Sequence, residues 1–242
     1  MDLVIVIPCF NEADRLNTPA YAAFLKENPQ VGLVMVDDGS TDATLSILTR
    51  VEQDFSAQVK LLSSKKNKGK AEAVRAGVHL AFDIFSFEKI AYLDADLSTS
   101  LEECLKISKL VSNETHFVFG SRISTIDNTI KRKWYRHYLG RIIATAISKS
   151  LQLTVYDTQC GCKIFEASLA KKLFKDTFLS RWLFDVELFH RAIKLYGREN
   201  IPEHLKEIPL NSWVATEGSK VRFSYIFKLW YDLFTITLFY RK

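Results

Sequence analysis

Residues 3–7 read Leu-Val-Ile-Val-Ile, an unbroken and largely β-branched apolar run. A strand with one wet face alternates apolar and polar residues, so a continuous run predicts a strand covered on both faces. Similar runs recur at residues 33–36, 59–62, 90–93 and 117–119, with helical patterns at 20–27, 41–53, 71–82 and 101–111 between them. Strands alternating with helices at this spacing predict an α/β fold, a mostly parallel sheet flanked by helices on both faces. Ligands of such sheets bind beyond the carboxyl ends of the strands. The loops after the five runs are therefore where the chemistry is expected.

Those loops are rich in charge. Asp94-Ala95-Asp96 follows the fourth run. In extended backbone, residues two apart face the same side, so both carboxylates are expected to meet one bound species. Hard oxygens in so small a number suit Mg²⁺ or Mn²⁺ completed by water and phosphate; a solvated helix-capping loop is the competing reading. After the second run stands Asp37-Asp38-Gly39-Ser40-Thr41-Asp42. Gly39 is expected to make a turn, Ser40 or Thr41 to cap the next helix, and one carboxylate to accept from a nucleobase or ribose. Lys68-Gly69-Lys70 opens the third helix, where backbone amides and lysine charge suit an anion. Neither a Walker A loop nor Gly-x-Gly-x-x-Gly after the first run is present, which argues against P-loop and dinucleotide-binding chemistry.

Taken in order, IPCFNEA (7–13), VDDGSTDAT (36–44), NKGKAEAVRAG (67–77), YLDADLS (92–98) and GSR (120–122) resemble the family 2 glycosyltransferases of the GT-A fold. DTQCGCKIF (157–165), RWLFDVELFHRA (181–192) and NSWVATEGSK (211–220) are similar to the dolichyl-phosphate β-glucosyltransferase and polyprenyl-phosphate glycosyltransferase branch. Cys162 stands where that branch usually has phenylalanine. The resemblance implies a nucleotide-sugar pocket lined by Pro8, Asn11, Glu12, Asp37, Gly69, Lys70 and Asp94, with Asp94 and Asp96 as the metal motif. It also implies Arg122 at the acceptor phosphate and Asp157 near the reacting carbon, as an orienting group or a base. The expected reaction is inverting transfer of a sugar, glucose from UDP-glucose, to a polyprenyl phosphate. Two alternatives stay open: a glycan hydroxyl acceptor with Asp157 as base, and a non-catalytic nucleotide-sugar-binding module.

The net charge of +5 is uneven: residues 1–120 hold 12 basic and 17 acidic side chains, and residues 121–242 hold 21 and 11. One half suits a cation and the other an anion. Residues 122–149 carry seven basic residues against Asp127 alone, and Lys131, Arg132 and Arg136 are expected to help Arg122 bind the acceptor phosphate. No RNP, helix-turn-helix or zinc-finger pattern accompanies them, so nucleic acid is not the expected partner. Residues 223–242 include eight aromatic side chains, and as a helix Phe223, Phe227, Trp230, Phe234 and Leu238 form a stripe opposite Lys228, Asp232 and Thr235. Such a helix is expected to lie in an anionic membrane surface, with a homo-oligomer strengthening attachment. Four cysteines are too few for a disulfide framework and lack zinc spacing, so free thiols are expected. The divisions expected are 1–121 for the nucleotide sugar, 122–212 for the acceptor and 213–242 for the amphipathic helix. No signal peptide or 18-residue uncharged stretch is visible, so the expected location is cytoplasmic and peripheral on the inner face of a membrane. Without the N-terminal anchor usual in eukaryotic relatives, a bacterial source is expected.

Overall fold

The computed structural model describes residues 1–124, 128–131, 134–214 and 225–241, without the side chains of 131, 134–140 and 225–227. Strands β1 (Leu3–Cys9), β2 (Val31–Asp37), β3 (Val59–Ser63), β4 (Lys89–Leu93) and β5 (Phe117–Ser121) alternate with helices α1 (Thr18–Glu27), α2 (Thr44–Asp54), α3 (Lys70–Ile84) and α4 (Leu101–Ser108). There follow β6 (Thr129–Lys131), α5 (Trp134–Leu151), β7 (Cys162–Glu166), α6 (Ala167–Leu173), α7 (Phe184–Tyr196), α8 (Ile201–His204), β8 (Leu205–Pro209), β9 (Ser212–Val214) and α9 (Tyr225–Tyr240). The main sheet has the order β3-β2-β1-β4-β7-β5-β8. Every pairing in it is parallel except those of β7, which runs against both β4 and β5. β6 and β9 pair separately, in parallel.

The expected alternation of strands and helices is thus present, and the apolar runs are covered on both faces. Leu3, Ile5 and Ile7 pack with Leu25 of α1, Leu48 of α2 and Leu101 of α4, whereas Val4 and Val6 face Val74 of α3 and Phe184 of α7. Here α3 lies so near the sheet that a Cβ on Gly77 would come within 2.5 Å of Val6 and 2.8 Å of Val36. That close seating carries the start of α3, with Lys70, to the carboxyl ends of the strands. The same face has an aromatic core: Phe117 stacks on Phe165 at 4.4 Å, and Phe165 meets Phe174 edge-on at 5.5 Å. Each such pair contributes about 0.5–1.5 kcal/mol beyond its burial. All four cysteines are buried and none is in a disulfide.

Two local expectations are corrected. α2 begins at Thr44 rather than 41, and its N-cap, Ala43, makes no side-chain cap. Asp42 Oδ1 accepts from the Thr44 amide instead, leaving Ser40 and Thr41 to join a neighbouring loop. In α9, Asp232 lies buried rather than on the wet side. Its Oδ2 accepts from Ser180 Oγ at 2.8 Å, while Leu233 and Ile236 join the core and Tyr240 stacks on His190 at 5.0 Å. A buried carboxylate needs such partners, and they fix the rotation of the helix. Trp230, Tyr231, Phe234, Leu238 and Phe239 are consequently left exposed.

His190 links this docking to pH. Burial, joined by the charge of Arg198, pushes its imidazole down to about 4. An unfolded histidine titrates at about 6.5, so between these values the unfolded chain binds a proton that the folded chain excludes. The contribution is full above the unfolded value and is lost as pH falls toward the folded one. The melting temperature is therefore expected to drop across that window, with a shallower drop in His190→Gln; parallel profiles for the two proteins would refute this.

Candidate active site at the carboxyl ends of the strands

The carboxylates after β4 sit in a turn. The Asp94 carbonyl accepts the Leu97 amide at 3.2 Å, and Leu97 has a φ of 50°. This corrects the extended backbone expected there: turn geometry, rather than strand pleat, aims the two side chains. Asp94 Oδ1 meets Lys70 Nζ at 2.6 Å. Asp96 Oδ1 accepts from the amide and hydroxyl of Ser98 at 3.0 and 2.8 Å, and Oδ2 lies 3.9 Å from Arg15 Nη1. Arg15 Nη2 also bonds Glu12 Oε1 at 2.6 Å, and the Tyr21 hydroxyl donates to the Ala95 carbonyl at 3.0 Å. Burial alone would lower the Lys70 pKa, but the Asp94 and Asp185 carboxylates outweigh it and raise it, so this ammonium stays charged.

The loops after β1, β2 and β3 are laced together. The Asn11 amide donates to Ser40 Oγ at 2.9 Å, the Thr41 amide to Asn11 Oδ1 at 2.8 Å, and the Glu12 amide to Thr44 Oγ1 at 2.8 Å. Pro8 lies in β1 past Val6, where the ladder to β4 ends, so its missing N–H costs no bond on that side. Asp37 is buried; its carboxylate accepts from the Ser40 amide and Ser63 Oγ, both at 3.2 Å. Asp38 accepts the Lys68 and Gly69 amides, both at 2.8 Å, and so shapes the lysine loop. Burial raises the Asp38 pKa more than those two bonds lower it. Arg181, which precedes α7, grips the loop from the other side through Nε to the Lys68 carbonyl and Nη2 to Asn67 Oδ1, at 2.8 and 2.6 Å.

Across β7 stands a second group. Arg122, just past β5, grips Asp157 with a two-pronged fork: Nε to Oδ2 at 2.6 Å and Nη2 to Oδ1 at 2.8 Å. The Arg122 and Gln159 amides donate to the same carboxylate at 3.0 and 3.2 Å. Glu207 of β8 holds the loop by accepting the Tyr156 and Asp157 amides at 2.9 and 2.7 Å, and the Trp213 ring lies 5.4 Å from the guanidinium. The charge of Asp94 acts on Arg122 as well, so the two groups share one field. β7 accounts for their meeting. Being antiparallel, it begins where β4 and β5 end, so residues 157–161 arrive beside Asp94 and Arg122. The Asp94 amide bonds the Gly161 carbonyl at 3.1 Å, and a Cβ on Gly161 would fall on the Asp94 carboxylate.

Among the expected residues, Pro8, Asn11, Glu12, Asp37, Gly69, Lys70, Asp94 and Asp96 gather at one edge, and Arg122 pairs with Asp157. Lys131, Arg132 and Arg136 have side chains outside the described residues. Sequence reasoning missed Arg15, Gly161 and Arg181; a glycine between two cysteines and an arginine before an apolar helix were the available signals. Asp94 is the more open carboxylate, its side chain 43% exposed, and no cluster of three or more potential ligands occurs among the described residues. Two hard-oxygen donors beside a glycine cradle fit Mg²⁺ or Mn²⁺ whose other positions are taken by water and phosphate oxygens.

Comparison with known proteins gives the family and the fold. Residues 4–174 match the model of glycosyl transferase family 2. Dolichyl-phosphate β-glucosyltransferases of Trichomonas vaginalis and Homo sapiens are 31% and 30% identical, with 98% and 90% of this chain covering 71% and 69% of theirs. The enzyme of that name from Dictyostelium discoideum is 29% identical over 94% of this chain and 76% of its own. In fold, the chain is similar to glucosyl-3-phosphoglycerate synthase of Mycobacterium tuberculosis, crystallised with Mn²⁺, UDP and phosphoglyceric acid. That likeness has a TM-score of 0.70 at 14% identity and covers 99% of this chain and 78% of the other.

Two substitutions test the geometry. Gly161→Ala is expected to displace Asp94 and weaken Mn²⁺ binding, read by titration calorimetry, while circular dichroism stays native; unchanged affinity would overturn the cradle. Asp38→Ala strands two loop amides and is expected to cost about 1–3 kcal/mol in urea unfolding.

Proposed function

We propose, from the premise that the chain belongs to glycosyl transferase family 2, that it transfers glucose from UDP-glucose to the phosphate of a polyprenyl phosphate, with inversion at the anomeric carbon. The observation that carries this reading is the Arg122–Asp157 fork facing the Asp94/Asp96 turn across β7. An anionic acceptor needs a cation to hold it beside the donor. Arg122, aimed by Asp157 and lying near Trp213, is such a cation. The relatives named above support a polyprenyl acceptor and a glucosyl donor.

Lys70 and the lysine loop shaped by Asp38 and Arg181 lie where the donor diphosphate would be bound. Asp94 and Asp96 would hold Mg²⁺ or Mn²⁺, which when bound would offset the charge gathering on the diphosphate. Arg122 orients the acceptor phosphate, whose second pKa of about 6 leaves it largely ionised at neutral pH. One phosphate oxygen forms the new bond to the anomeric carbon as that carbon's bond to the nucleoside diphosphate breaks. No proton has to be removed, so no general base is required. Asp157 spends both oxygens on Arg122 and on backbone amides, which favours an orienting role over the base that a glycan hydroxyl would need. In this reading residues 1–121 serve the donor and 122–212 the acceptor.

The outer aromatic face of α9 is the proposed attachment to an anionic membrane surface. Tyr231 and Phe234 are 69% and 67% exposed, and aromatic side chains favour the bilayer interface. No helix among the described residues is long and apolar enough to cross a membrane. The protein would be peripheral, on the cytoplasmic face where the soluble donor is found, and self-association would add to its hold. The relatives named above are eukaryotic, which does not favour the bacterial source expected from sequence.

Incubation with Mn²⁺ and a panel of UDP- and GDP-sugars, with and without polyprenyl phosphate, tests this reading. UDP release is expected only with UDP-glucose and the lipid phosphate together; transfer to soluble glycans but not to the lipid would overturn it. Arg122→Ala is expected to lower kcat/KM about 10- to 100-fold, the equivalent of a charged hydrogen bond of roughly 1.5–3 kcal/mol. Asp157→Asn should keep measurable turnover, whereas loss of a true base would cost about 10²–10⁴-fold. Trp230→Ser/Phe234→Ser is expected to abolish flotation with phosphatidylserine vesicles and to leave UDP binding intact.

A further inference from the structure

Lys163 is fully buried in β7, between strands β4 and β5, on the sheet face that also carries Phe165 and Tyr92. An ammonium in that place is costly unless it is paired and hydrogen-bonded. Its Nζ donates to the Cys160 carbonyl at 2.7 Å and pairs with Asp185 Oδ1 at 2.6 Å. Asp185 stands in the first turn of α7, where the helix dipole favours an anion. The same oxygen accepts the hydroxyl of Tyr92, which lies in β4 two residues before Asp94. Both Lys163 and Lys70 approach the Tyr92 ring, at 5.4 and 5.6 Å from its centre.

One buried carboxylate thus ties three pieces together. Through Tyr92 it holds the end of β4, through Lys163 the loop before β7, and through its own backbone α7. The loop connection is direct, since Lys163 fixes the Cys160 carbonyl and the next carbonyl, that of Gly161, accepts the Asp94 amide. Stability alone is a weak explanation for such a cluster. Replacing a buried ion pair with apolar residues of similar volume is often neutral or stabilising.

We propose that Asp185, Lys163 and Tyr92 are positioning residues for sugar transfer, a buried brace that sets the Asp94/Asp96 turn against the Asp157 loop. This inference rests on the function proposed above. It concerns the distance and angle between donor and acceptor groups rather than affinity for either substrate, so kcat should carry the effect.

The test is the triple variant Tyr92→Phe/Lys163→Met/Asp185→Leu, which removes all three polar ends at similar volume. The expected result is a melting temperature at or above that of the wild type, with kcat for UDP-glucose and polyprenyl phosphate lower by roughly 10- to 100-fold, as for other supporting partners of a metal-site ligand, and KM little changed. Hydrogen exchange of the unliganded protein is expected to quicken at residues 94–98 and 157–161 and to stay unchanged in β1 and β2. Wild-type kcat with unchanged exchange in both segments would overturn the brace, as would a fall in melting temperature with kcat per folded molecule preserved. Should the triple variant fail to fold, Tyr92→Phe alone decides: a lower kcat at constant KM supports the brace and wild-type kinetics refute it. A wild-type protein that transfers no sugar to any acceptor would remove the proposed function instead, and the exchange measurement would still judge the brace.

Discussion

The arrangement depends on one strand running the wrong way. A parallel sheet sends every strand's carboxyl end to one edge, and the amino ends of its neighbours lie a strand length away. β7, antiparallel between β4 and β5, starts at the edge where they finish. Only this reversal brings Asp157 to Arg122 and Gly161 to Asp94. The price is a central strand that must pass through the core with a lysine in it, and the Asp185 carboxylate makes that lysine tolerable.

Charge at this edge is matched rather than massed. The sequence divides into an acidic half and a basic half, which suggests an anionic end and a cationic end. In the fold, Asp94 faces Lys70, Asp96 lies near Arg15, and Arg122 of the basic half holds Asp157. Partly buried carboxylates require partners, and like charges left adjacent would repel. Asp37 and Asp38 show how that repulsion is managed: each takes its own set of hydroxyl or amide donors, and the two point into different loops. The polarity of the chain is therefore expressed as ion pairs rather than as two charged ends.

Some features were legible from residue type alone and others were not. Unbroken runs such as residues 3–7 announce burial on all sides, because five apolar side chains in succession stay out of water only when every face of the element is covered. Asp94, Lys70 and Arg122 stand out because charged residues directly follow, or begin, apolar elements. The capping by Ser40 or Thr41 was misjudged because a hydroxyl near a helix start can bond any nearby amide, and here the Asn11 amide is the nearer partner of Ser40. For Asp232 the error came from treating charge as a mark of solvent exposure, when Ser180 on a distant loop offers it a buried bond. Gly161 offers only its place between two cysteines, and Lys163 and Asp185 carry no local signal of their role, since the residues they support lie up to 93 positions away, as Tyr92 does from Asp185.

By itself, then, the sequence determined the layered α/β plan and the edge where chemistry gathers, because hydrophobic periodicity and loop charge are local properties of the chain. Tertiary structure alone decided which carboxylate meets which cation and which face of α9 stays open. It also decided how the Asp157 loop comes to face the Asp94 turn. Those outcomes depend on strand order and direction, on helix rotation, and on the requirement that every buried charge find a partner, none of which is set by neighbours in sequence.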